Sequence, residues 1–157
     1  MSFREVVPVA PIFRTRDFTP REELCFVVMP LTEPRLGEIY TEIVKPTLEG
    51  LGLDVTPSDL ILAPGPVMET IWSSIFECRL VVAELTGRNP NVYYEVGIAD
   101  TIGVPVIPIT QEGPVFDLRH LRHVMYANSP EGLESLAQCL RGMAESILRN
   151  PAHWRRY

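Results

Sequence analysis

The sequence predicts an α/β fold: a three-layer, flavodoxin-like open parallel sheet of about five strands, in the order 2-1-3-4-5. Three observations carry that expectation. Short apolar runs such as Leu24-Cys-Phe-Val-Val-Met29 and Leu80-Val-Val-Ala-Glu-Leu85 are continuous rather than alternating, as in strands covered on both faces. Segments with apolar residues at helical spacing lie between them, and the connections are short. In such a sheet ligands sit above the carboxyl ends of strands 1 and 3, where the winding reverses.

The elements follow in chain order. Residues 1–21 carry Pro8, Pro11 and Pro20 without a clear period and read as an N-terminal arm. Residues 22–150 read as one α/β domain, and 151–157 as a C-terminal tail. The first strand ends at Pro30. Leu36, Ile39, Tyr40, Ile43, Val44, Leu48 and Leu51 then recur at helical spacing, with Gly50 and Gly52 at the stop. Pro46 falls inside this helix and should kink or split it. Leu53 to Thr56 is a weak second strand. Val67, Met68, Ile71, Trp72, Ile75 and Phe76 form another apolar stripe before the third strand, Leu80 to Leu85. The helix after it has Asn91 as its expected N-cap and closes at Gly103. Val104 to Ile109 is the fourth strand, weakened by Pro105 and Pro108. Val124 to Tyr126 is a short fifth strand, and Leu133 to Leu148 carries the last helical stripe.

With 157 residues, 46% of them hydrophobic and 22% charged, the chain has the composition of one globular domain. A net charge of −6 disfavours a general nucleic-acid surface. No apolar run approaches the roughly 20 residues of a membrane helix. Cys25, Cys78 and Cys139 are widely spaced in apolar stretches. They are expected as buried small hydrophobes in a reducing compartment, with the cytoplasm as the default.

Several α/β site types are absent. There is no Gly-x-Gly-x-x-Gly after the first strand and no Walker-type phosphate loop. Pro30 to Gly37 lacks the hydroxyls of a flavin phosphate loop, and Val-Val-Met-Pro lacks the acids of a receiver domain. No Gly-x-Ser-x-Gly occurs. His120 and His123 lie three apart without a further ligand, so no metal or cofactor is expected.

One carboxylate stands out. On a wheel at about 100° per residue, Glu95 falls between Ala99 and Ile102, inside the arc formed with Val92 and Val96. It is aimed inward, near the positive end of the helix dipole, at the edge where this fold keeps its ligands. A buried carboxylate must be partnered, protonated or facing a cavity. Either Arg88, the dipole or backbone N–H groups neutralise it, or it faces a ligand.

Val81 to Ala99 (VVAELTGRNPNVYYEVGIA) resembles the signature segment of the nucleoside 2-deoxyribosyltransferase-like superfamily. Within that group the likeness is strongest to bacterial nucleotide-binding proteins related to TIR domains. Phe26-Val-Val-Met-Pro30 with Ile43-Val-Lys-Pro46, and Phe116-Asp-Leu-Arg119, extend the resemblance over roughly residues 23–148. It implies cleavage or transfer of an N-glycosidic bond in a nucleoside or nucleotide, with Glu95 as nucleophile. The alternative it implies is a TIR-like nucleotide-binding module, either non-catalytic or directed at NAD.

Further candidates come from the resemblance and from position at the carboxyl edge of the sheet. Asn89 stands where the transferases often carry an acid, a departure from their pattern. Glu84 either supplies that acid or caps a loop, and Glu69 points into the cleft or into solvent. Arg35 and Arg88 hold a phosphate, or pair with Glu33 or Glu84. Thr32, Thr86 and Asn91 are further candidates for contacting the substrate. Arg119 and Arg122 are expected to brace the loop at Asp117, and Trp72 to lie in the core rather than to form a base-stacking platform. The expected partner is a small-molecule nucleoside or nucleotide. The chain is expected to form a homo-oligomer in which a neighbour's terminus closes the site.

Overall fold

The computed structural model describes residues 19–30, 32–58, 67–115 and 118–150, with the backbone alone at 67–69. Residues 1–18 of the expected arm, the expected tail, Asp117 and the side chain of Glu69 lie outside the described residues.

Five parallel strands, β1 (Leu24–Val28), β2 (Asp54–Pro57), β3 (Leu80–Glu84), β4 (Val106–Thr110) and β5 (Val124–Met125), form one sheet. Their order is β2-β1-β3-β4-β5, as the sequence predicts. β1 and β3 are buried along their whole length, which explains their unbroken apolar runs. Side chains alternate between two cores. Cys25, Val27, Leu80, Val82, Ile107 and Ile109 pack under one helical layer with Leu36, Leu48, Leu136 and Leu140. Leu24, Phe26, Val28, Val81, Ala83 and Leu85 pack under the other with Ile71, Ile75, Val92 and Val96.

Pro46 splits the first helical segment as expected. α1 (Pro34–Ile39) runs into a π turn over Tyr40–Val44 and then α2 (Lys45–Glu49). The Lys45 N–H reaches back to the Tyr40 carbonyl, one residue farther than in an α-helix. The wider turn accommodates a ring that lacks the N–H and would crowd the carbonyl four residues back.

Pro108 is tolerated for a similar reason. Val81 donates to the Pro105 carbonyl and Leu85 to that of Ile109, so the odd-numbered residues of β4 face β3. The missing donor of Pro108 therefore points toward β5, which pairs only with Ile109 and Thr110.

α3 (Val67–Glu77), α4 (Pro90–Thr101) and α5 (Pro130–Arg149) complete the layers. Among the described residues no helix is long and apolar enough to cross a membrane. Cys25 and Cys78 are buried, but Cys139 is exposed. Its position on α5 lies off the stripe Leu136, Leu140, Ala144 and Ile147 that meets the core, which corrects the expectation of three buried thiols.

Candidate active site

The third strand ends in two buried acids with different surroundings. After β3 the chain turns through Gly87 (φ 77°) and Arg88 (φ 53°), the one non-glycine residue at positive φ among those described. It then enters α4 at Asn89. The N-cap is Asn89 rather than Asn91: its side-chain oxygen accepts the Asn91 N–H at 2.9 Å. Pro90 is the reason. It holds Asn89 extended and occupies the first helical position, where no N–H is needed. Glu95 accordingly lies on the second turn of α4, farther from the amino end than an N-cap at Asn91 would put it.

Glu95 is 6% exposed, flanked on its helix by buried Val92, Val96 and Ala99, as the wheel predicts. Among the described residues no hydrogen bond or ion pair reaches its carboxylate. Arg88 does not neutralise it, because that guanidinium pairs with Glu112 at 3.4 Å. Burial alone pushes the Glu95 carboxyl up to about 7.

Glu84, 3% exposed, is fully engaged. It accepts the Tyr126 hydroxyl at 2.6 Å and the Thr86 N–H at 2.8 Å. Burial raises its carboxyl above the usual range, against these two hydrogen bonds. The Tyr126 oxygen also accepts from Gln111 Nε2, and the Thr86 hydroxyl accepts the Gln111 N–H. By strand alternation Glu84 shares the face of Leu80 and Val82, with Tyr126, while α4 covers the opposite face. Glu84 thus ties down the start of the loop through the Thr86 N–H.

The other candidates divide similarly. Arg35 is bound by Glu38 at 2.7 Å and Asn128 at 2.7 Å, not by Glu33. Arg88 pairs with Glu112, not Glu84, so the two guanidiniums share no partner. Thr32 and Asn91 are exposed, and Thr86 is half-buried in the Gln111 contact. The oxygen of Asn89 is committed to its cap. Tyr126, Gln111, Glu112 and Asn128 join the candidates here through their contacts with Glu84, Thr86, Arg88 and Arg35, and the polar Thr110-Gln-Glu112 run at the carboxyl end of β4 is the signal in the sequence for two of them.

Two cavities lie elsewhere. One of about 770 Å³ opens at the amino ends of β4 and β5, lined by Asp100, His120, Arg122 and Met143 among others. There His120 meets Asp100 at 3.1 Å and His123 meets the Leu121 carbonyl. The other, about 330 Å³, lies between α3 and α4 beside Trp72 and Tyr94. Trp72 is thus half-buried against Phe76 rather than enclosed in the core. Among the described residues no group of three His, Cys, Asp or Glu side chains could hold a metal.

No family model matches the chain, and no curated protein does. Solved structures do. The CMP N-glycosidase BcmB of Clostridium botulinum is 18% identical, over 74% of this chain and 97% of that one, with a TM-score of 0.57. A 2-deoxyribosyltransferase from Bacillus psychrosaccharolyticus is 13% identical, over 80% and 95%, with a TM-score of 0.60. The TIR domain of a Toll-related receptor from Hydra magnipapillata is 14% identical, over 80% and 97%, also at 0.60. These likenesses show a nucleoside 2-deoxyribosyltransferase-like fold.

Proposed function

We propose that this chain cleaves or transfers the N-glycosidic bond of a nucleoside or nucleotide, with Glu95 as nucleophile. The observation that carries this reading is a buried carboxylate with no protein partner among the described residues, on the helix that follows the central strand. A structural acid is normally paired, as Glu84 is; an unpaired one costs stability and is kept where a reaction uses it. The CMP N-glycosidase and the 2-deoxyribosyltransferase among the structural neighbours support the same direction.

In this mechanism ionised Glu95 forms a bond to the anomeric carbon as the glycosidic C–N bond breaks. The bonding pair leaves with the base, which takes a proton from water or from an acid of the site. Water, or a second base, then attacks the anomeric carbon and releases the carboxylate. Burial among Val92, Val96 and Ala99 favours the oxocarbenium-like passage, because a carboxylate poorly screened by water stabilises positive charge strongly.

Base release from cytidine, CMP, their 2′-deoxy forms, the matching purine compounds and NAD tests the reading. Glu95→Gln should remove release at least about a thousandfold while the protein stays folded. Unchanged turnover would end it. A TIR-like module acting on NAD is the second reading, motivated by the TIR-domain likeness and by an Asn at position 89. Nicotinamide release without release from any nucleoside would favour it.

A further inference from the structure

Glu112 has no place in the proposed chemistry, yet it meets the turn that leads into α4. Its Oε1 accepts the Gly87 N–H at 3.2 Å, and its Oε2 faces Arg88 Nε at 3.4 Å. Its own N–H is tied to Thr110 Oγ1 at 3.0 Å, which fixes the residue at the end of β4. A carboxylate therefore sits between a backbone N–H and a guanidinium, both presented by residues at positive φ. That pairing of donors suits the paired oxygens of a carboxylate or phosphate. Both charged side chains are largely exposed, 62% for Arg88 and 43% for Glu112, so a ligand at this edge can reach the pair.

We propose that Glu112 is a specificity-determining residue: its carboxylate occupies the place that an anionic group of the substrate would take at Gly87 and Arg88. The inference rests on the proposed reading of the site and names the substrate feature that is discriminated. A neutral nucleoside leaves the Glu112 contact intact. A phosphate monoester has to displace it, losing one ion pair to gain another, and meets like-charge repulsion from the displaced carboxylate. Glu112 thus shifts the site's preference toward uncharged substrates, while Arg88 keeps phosphorylated ones admissible.

Calorimetric titration with cytidine and CMP, adenosine and AMP, and inorganic phosphate tests this on the whole chain. Glu112→Gln keeps an acceptor for Gly87 but loses the charge. It should shift the ratio of monophosphate to nucleoside affinity about two- to fivefold toward the monophosphate, the range expected for an exposed pair. Arg88→Gln in the same background should abolish that shift. Glu112→Ser, checked by its melting curve, gives a second route to the same result. The proposal falls if the ratio is unchanged, if the gain survives without Arg88, or if neither compound binds either protein. It also falls if only inorganic phosphate gains. Binding needs no turnover, so an intact shift without base release would end the glycosidase reading and leave this one standing.

Discussion

Glu84 and Glu95 stand on either side of one loop, both buried, and lie on opposite faces of the sheet. Glu84 is bonded to Tyr126 and Thr86 and secures the loop. Glu95 has no partner among the described residues and keeps an acid near neutrality. The same side-chain type is tied into the loop in one place and left without a described partner in the other. Hydrogen bonding, more than depth, separates the two.

Tyr126→Phe should lower stability by about 1–3 kcal/mol, because it leaves a buried Glu84 oxygen without its donor. Denaturant unfolding at pH 7 measures this. A loss within error of zero would mean that the 2.6 Å contact contributes nothing net.

Glu84→Gln should weaken the loop but leave base release within about tenfold of the parent. The Glu84 carboxylate is engaged by Tyr126 and Thr86 on the face of the sheet opposite α4. A loss comparable to that of Glu95→Gln, in a protein that melts normally, would restore Glu84 as the missing acid.

The fold was legible because its signals are local and redundant: unbroken apolar runs in β1 and β3, and helical stripes between them. The inward aim of Glu95 was legible from periodicity alone. What stayed hidden depended on long-range contacts. Nothing in the sequence pairs Arg88 with Glu112, or Glu84 with Tyr126, since those partners meet only when β3, β4 and β5 align. The N-cap was misplaced for a different reason. Asn89 and Asn91 are equally good caps, and only the restriction that Pro90 imposes on the residue before it decides between them.

Asn89→Ala should cost about 1 kcal/mol through loss of the cap, whereas Asn89→Asp should keep stability, since Asp caps as well as Asn. The Asp form also places a carboxyl at the amino end of the helix that carries Glu95. Base release above the parent level in Asn89→Asp would show that this position touches substrate, and equal release would confine it to capping.

Gly132→Ala should destabilise by about 2–4 kcal/mol, because a Cβ there would run into the backbone of Ala127. The N-terminus of α5 depends on that approach, with the Gly132 N–H bonded to Ser129 Oγ. A variant that melts with the parent would show that the segment before α5 shifts at little cost.

Glu95→Gln should be more stable than the parent at pH 8, and the sign follows from its titration. The carboxyl titrates near 4.5 when unfolded and near 7 when folded, so the folded state holds the proton more tightly. Its stabilising contribution is full below about pH 4.5, declines as pH rises, and is gone above about pH 7. A shift of this size corresponds to about 3 kcal/mol. The amide carries no charge to bury, so its advantage should grow across that window and level off above it. Melting curves at pH 4.5 and pH 8 read this directly, with a gain of several degrees expected at the higher pH alone. Base release in the parent should fall below an apparent pKa near 7, because the nucleophile is the ionised form. A variant equally stable at both pH values would mean that Glu95 has a partner in the folded chain, and would remove the basis for assigning it the chemistry.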